Sequence, residues 1–312
     1  MKNYRSVVEG RWHRNATVRA QHRPALPIAS PEDRPFDYYS RVLVPAASHS
    51  ILLQQPPEAQ SALLIHHNYA FSRATSKLET DILNPTLLHL AEGFEHLSLP
   101  ADLRFDARHI FVDESYHALI AEDSIRQIEA KTGVALLPCL TPPAFDEIGH
   151  AAAEFGPDSY PLVRFLFSFV LETLVSDTFT LLPDDPTVHP FVRDAVGQHR
   201  KDEQVHHEFF REAFRFVWSA LSPREKSIGV QVIPRFINSI LGADDSQLKI
   251  ILWAIGLNPA EVANVLADSY AASALSGDPR QAARWTLRYC RKAGVLRSEE
   301  AQRIFRQARL ID

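Results

Sequence analysis

Apolar residues recur at three- and four-residue intervals over most of this chain, and no alternating run of useful strand length interrupts them. The pattern predicts an all-α protein. A first helix begins after Pro56-Pro57 and runs to about Leu83, ahead of Asn84-Pro85. A second spans about Asp102 to Lys131 and stops at Gly133. A third, Pro161 to Leu182, is apolar almost all round and belongs in the centre of a core. A fourth runs from about Pro190 to Leu221. Between the second and third, the proline-rich stretch 133–160 reads as a structured loop with short helical pieces, either a lid or a crossover. Ser222-Pro223-Arg224-Glu225, Asn258-Pro259-Ala260-Glu261, Asp278-Pro279 and Ser298 open further helices in the last third. Residues 1–44 are basic and aperiodic, an arm expected to be disordered or to wrap a partner subunit. Residues 45–312 form one helical domain, with a metal-binding bundle over 45–221 and buttressing helices over 222–312.

The interruptions in the pattern carry the chemistry. Val192, Val196, Phe210, Ala213 and Val217 mark the inner stripe of the fourth helix, and His199, Glu203 and His206 lie on that same stripe. Three ionisable groups facing a core are costly unless something compensates them. A second copy answers the point: Asp113 to His117 reads DESYH and Asp202 to His206 reads DEQVH. Glu114 and His117 replace apolar residues on a stripe otherwise made of Ala107, Ile110, Ala121 and Ile128. Two Glu-x-x-His pairs with one carboxylate from each of two more helices make the di-iron or di-manganese centre of a four-helix bundle. Glu172, in the middle of the apolar third helix, and Glu79, on the face shared by Ile65, Asn68, Ser72, Thr75 and Ile82, are the expected carboxylates. Asp113 and Asp202 are expected to accept from the N–H groups of the ligand imidazoles. The Asn68, Ser72, Thr75 face and the Phe165, Ser168, Phe169 turn are candidate cavity walls, or plain helix packing.

Composition narrows the chemistry further. With 14 histidines and 2 cysteines, Cys139 and Cys290, in no CxxC spacing, imidazole and carboxylate ligation is favoured over thiolate. Oxygen-rich ligation with two or three imidazoles suits iron, with manganese as a substitute. A net charge of -5 gives no reason to expect nucleic acid. No run reaches membrane-spanning length, and a cytoplasmic location is expected. The 11 glycines are scattered singly, so neither a phosphate loop nor a nucleotide fold is supported.

The order Glu, ExxH, Glu, ExxH is similar to that of ferritin-like di-iron carboxylate proteins. The extra histidine, giving HxxxExxH over His199 to His206, resembles the p-aminobenzoate N-oxygenase family. The resemblance runs from Glu79 to His206, over all seven positions. It implies a ferritin-like four-helix bundle with a di-iron core and additional C-terminal helices. It implies an oxygenase using O2 to turn a primary amine, aryl or aliphatic, free or carrier-tethered, into a hydroxylamine and onward to nitroso or nitro products. It also implies a role in secondary metabolism and a homodimer, and electrons are expected from an external donor because the chain has no flavin or nicotinamide motif. Without His199, the other six positions also suit a hydroxylase, a desaturase or a ferroxidase.

Overall fold

The computed structural model describes residues 4–20, 23–26, 36–94, 97–174, 176–242, 244–274 and 278–312. The chain is all-helical; among the described residues the one β-type contact is an isolated bridge between Asp37 and Val188. In order the helices are α1 (Glu9–Asn15), α2 (Thr17–Ala20), α3 (Ser50–Leu53), α4 (Pro57–Leu78), α5 (Asn84–Glu92), α6 (Ala101–Thr132), α7 (Asp146–Phe155) and α8 (Tyr160–Thr173). They continue with α9 (Asp177–Leu181), α10 (Pro190–Ala220), α11 (Pro223–Leu241), α12 (Ser246–Ala254), α13 (Pro259–Ala274), α14 (Pro279–Ala282), α15 (Arg284–Ala293) and α16 (Glu299–Gln307).

Five of these elements enclose the interior. α6 packs on both α4 and α5, α10 packs on α6, and α8 packs on α10 and back onto α5. Two separate apolar cores fill the two ends of the bundle. One holds Leu63 and Ile65 of α4, Ile125 and Ile128 of α6, and Phe191 and Val196 of α10. The other holds Leu103 and Ile110 of α6, Phe165 and Phe169 of α8, and Phe210 and Phe214 of α10. α4 and α10 therefore run from the first core to the second, and α6 runs the other way. The Glu-x-x-His pairs lie at the boundary, where neither core continues.

Where the pattern is phased, the structure follows it. α6 ends on Gly133, whose φ of 72° is the left-handed conformation a helix C-cap asks of glycine. Ser222 and Glu225 form a complete capping box, and Asp278 and Ser298 each accept from a backbone N–H of the first turn they open.

Two expectations are corrected. The first helix does not stop before Asn84-Pro85. It passes through a π-helical turn, Glu79–Leu83, into α5. The wider turn accommodates the missing N–H and the ring of Pro85, which an unbroken α-helix would not. The third helix is not continuous to Leu182. It breaks at Leu174, which is extended with ψ 156°, and restarts behind the cap of Ser176. Glu172 is thus in the last turn of α8 rather than mid-helix, and Val175 lies outside the described residues. The described parts of the N-terminal arm lie on the arm's own bundle. Tyr4 donates to Asp106 at 2.6 Å, Arg23 pairs with Asp123 at 2.5 Å, and the Leu26 N–H reaches Gln127 at 2.8 Å. All three acceptors are on α6, whose polar outer face gives an aperiodic segment its partners. Residues 1–3, 21–22 and 27–35 of the arm are outside the described residues.

The last third packs against this frame: α11 against α8 and α7, α15 against α10 and α8, and α12 against α4. The stretch 157–184 has the hydropathy of a membrane span, but its one long helix, α8, has 14 residues and is covered by α5, α10 and α11.

Candidate metal centre

The boundary layer brings seven side chains together. Glu79 comes from the first position of the π turn, Glu114 and His117 from α6, Glu172 from α8, and His199, Glu203 and His206 from α10. The Nδ1 atom of His117 lies 2.8 Å from Glu114 Oε2. His206 Nδ1 lies 3.0 Å from Glu114 Oε1 and 3.5 Å from Glu203 Oε1. His199 Nε2 lies 2.8 Å from Glu203 Oε1 and 3.7 Å from Glu79 Oε1. Two sets of donor atoms lie within 4.8 Å of one another: Glu79, Glu114, His117 and His199, and Glu114, His117, Glu203 and His206. Glu114 and His117 are common to both. Glu172 lies outside those sets and is linked to the layer through the charges of Glu203 and Glu114.

Burial makes this layer an electrostatic problem. Glu114 and His206 are completely buried, and Glu79 is 2% exposed. Desolvation first, then the charges of Glu114 and Glu203, push the Glu79 carboxyl well above its ordinary range. Desolvation and Glu203 do the same to Glu172. For Glu114 and Glu203, burial acts upward but the imidazoles beside them win. Glu114 is held at about 2 by His206 and His117, and Glu203 falls well below its ordinary value through His199 and His206. Against burial, Asp202 and Glu114 raise His117 to about 9. These shifts favour the protonated carboxyl at Glu79 and Glu172 and the cationic imidazole at His117 and His206, the arrangement that lets four acids share one cavity. Divalent cations supply that positive charge without the protons.

The donor atoms also fit an ion. Glu79 Oε2 and Glu172 Oε2 are buried without a hydrogen-bond partner, and Glu114 Oε1 and His206 Nδ1, 3.0 Å apart, have no well-aligned hydrogen bond. Buried polar atoms are rarely left so, and these four lie together in the one layer, whereas others such as His66 Nδ1 and Arg164 Nε lie outside it. Four carboxylates with three imidazoles are compatible with two metal ions.

Behind the layer, each aspartate serves the histidine of the other copy. Asp202 Oδ2 lies 3.0 Å from His117 Nε2, and Asp113 Oδ2 lies 3.3 Å from His206 Nε2. With Nε2 engaged, both rings present Nδ1 to the interior. The aspartates are held in turn by the N-terminal arm. Trp12 Nε1 donates to Asp113 Oδ1 at 2.8 Å, and the Thr17 N–H and hydroxyl both donate to Asp202, the N–H at 3.2 Å. Neither Trp12 nor Thr17 carries a signal in the sequence, because the arm has no period from which an inward face can be read.

A narrow cavity of about 40 Å³ opens beside His117 and His199. Ser72 and Thr75 line it with Phe71, Tyr116, Ile120 and Val196, while Thr17 closes one side. The other candidate wall residues are placed elsewhere. Asn68 is spent holding the chain at Tyr38, donating to its carbonyl at 3.0 Å. Phe169 stacks on Phe214 at 3.8 Å, and Phe165 meets Phe94 edge-on, so both are core. Ser168 bonds Thr86 at 3.0 Å. These three face the apolar core because the break at Leu174 leaves only the last turn of α8 at the layer. Tyr116 and Ile120 were legible only as neighbours of His117 at helical spacing.

Fold and site together define a helical-bundle protein whose buried carboxylate and imidazole layer is compatible with two metal ions. Residues 14–273 match the family model described as p-aminobenzoate N-oxygenase AurF, and the chain belongs to that family. It is an oxygenase. A curated relative, the 4-aminobenzoate N-oxygenase of Streptomyces thioluteus, is 22% identical over 228 residues, which cover 72% of this chain and 67% of the relative.

Proposed function

We propose that this chain is a non-haem di-iron N-oxygenase that uses O2 to convert a primary amine into a hydroxylamine, with nitroso and nitro compounds as further products. The observation that carries this reading is the third imidazole. His199, one turn before the last Glu-x-x-His, is buried against Glu203 at 2.8 Å and stacks on His117 at 3.8 Å. A hydroxylase, desaturase or ferroxidase built on two Glu-x-x-His pairs has no need of it. Glu79, Glu114, His117, Glu172, His199, Glu203 and His206 would hold two irons, which bring the redox chemistry that activates O2. Manganese fits the same oxygen-rich set.

The chain's own residues do the rest. Asp113 and Asp202 fix the tautomer of His206 and His117 and aim Nδ1 inward. The cavity wall of Phe71, Tyr116, Ile120 and Val196 suits an apolar body, and the hydroxyls of Ser72, Thr75 and Ser124 can orient an amine. The name of the curated relative, an aminobenzoate N-oxygenase, supports an arylamine. At about 40 Å³, Phe71 or Tyr116 has to swing aside before a ring enters.

The test is turnover of an amine panel by the reduced, iron-loaded protein under 18O2, with products read by mass. A hydroxylamine carrying one labelled oxygen supports the reading. Oxidation at carbon, or consumption of O2 with the amine returned intact, contradicts it.

A further inference from the structure

α15 packs against α10 and carries Arg284, Arg288, Arg291 and Lys292 and no acidic residue. With α10 it walls a surface cleft of about 350 Å³ lined by Arg211, Arg215, Arg288 and Lys292 together with Trp285 and Tyr289. Glu212 is the one carboxylate in that lining, and it is engaged by Arg211 at 3.2 Å and Arg215 at 2.8 Å. Arg288 and Lys292 have no ion pair among the described residues. A concave positive patch on a chain of net charge -5 concentrates anionic partners.

The cleft also leads inward. Tyr289 is 8% exposed, and its hydroxyl lies 2.8 Å from His207 Nε2. His207 Nδ1 lies 3.1 Å from the backbone carbonyl oxygen of Glu172. The chain thus offers a hydrogen-bonded route from the cleft to the residue whose carboxyl sits in the metal layer. A solvated basic helix would account for the charge. It would not account for a buried tyrosine and a half-buried histidine bonded in series onto the backbone of Glu172.

We propose that this cleft docks a small acidic one-electron carrier protein, with Tyr289 and His207 between the carrier and the metal layer. The proposal rests on the N-oxygenase reading, which requires electrons from outside. A primary amine, O2, two electrons and two protons give a hydroxylamine and water: an N–O bond forms, the O–O bond breaks, and the second oxygen leaves as water. A one-electron carrier docks twice for each hydroxylamine. The α15 wall of the cleft, residues 284–293, lies beyond the stretch matched by the family model, whereas the α10 wall with Arg211 and Arg215 lies within it.

The test uses the full-length, iron-loaded protein and a reduced, acidic [2Fe–2S] ferredoxin as probe. Binding is followed by calorimetry and carrier oxidation by loss of its visible bands. The double variant R288E/K292E is expected to slow association on the order of tenfold or more and to lose the salt dependence of the wild type, at an unchanged melting temperature. Tyr289→Phe is expected to leave the dissociation constant unchanged and slow carrier oxidation. Equal binding by wild type and double variant, or no binding by the wild type, overturns the proposal. Dithionite separates the two ideas, since it needs no docking. If dithionite-reduced wild type makes no N-oxidised product, the N-oxygenase reading fails. If it makes product while charge reversal changes nothing, the docking site alone fails.

Discussion

Burial first, and then the charges of Glu114 and Glu203 beside them, push Glu79 and Glu172 towards the protonated form. A pH dependence follows. His117 titrates near 9 when folded and near 6.5 when unfolded. Between those values the folded chain keeps a proton that the unfolded chain has released, and His206, also raised, acts in the same sense. That stability is fully present below about 6.5 and is lost as pH rises towards 9. The melting temperature of the chelator-treated protein should therefore fall between pH 6.5 and 9, while that of the metal-loaded protein should stay nearly level. Metal binding should release protons into an unbuffered solution, because the ions replace them. A flat chelator-treated profile would mean that the imidazoles are not cationic in the empty layer.

The two Glu-x-x-His copies could be read from spacing because i and i+3 share a helix face whatever the surroundings. Which imidazole nitrogen turns inward could not be read, since that depends on Asp113 and Asp202 crossing between helices. Nor could Trp12 and Thr17, which support those aspartates. Loss of partners behind a ligand typically lowers metal affinity by about 10- to 100-fold. Thr17→Val and Trp12→Phe should each lower affinity within that range in a chelator competition, with far-UV circular dichroism unchanged. Thr17→Ser, which keeps the hydroxyl, should restore it.

At the level of helices, phased stripes were informative and unphased ones were not. α6 and α10 alternate apolar and polar faces, and their ends lie within a residue or two of the expected positions. α8 is apolar all round, so nothing in its pattern marks where it stops; the break at Leu174 comes from packing and from the Ser176 cap. The π turn was equally hidden, since Asn84-Pro85 reads as a stop signal until a widened turn absorbs it. The helices of the last third hold the frame at close quarters. A Cβ on Gly229 of α11 would meet the Trp218 ring at 2.5 Å. Gly229→Ala should therefore destabilise the fold by about 1–3 kcal/mol, read as a lower urea midpoint at constant slope. A neutral or stabilising result would show that Trp218 moves freely.

Considered whole, the molecule is a frame with two apolar ends and one ionisable waist. Hydrophobic burial stabilises the ends, whereas the waist costs free energy until it binds cations. Binding should thus raise global stability: at a free metal concentration about 100 times the dissociation constant, one site adds about 2.7 kcal/mol. A melting temperature that ignores added Fe(II) would place the ions outside the folded layer.

The central claim is that four carboxylates and three imidazoles from the π turn after α4 and from α6, α8 and α10 form one metal centre. The most direct measurement is the iron content of anaerobically loaded, desalted protein, for the wild type and for Glu114→Gln/Glu203→Gln. The account predicts about two irons per chain for the wild type and near-complete loss in a folded double variant. Stoichiometric iron that survives the loss of both glutamates would contradict it.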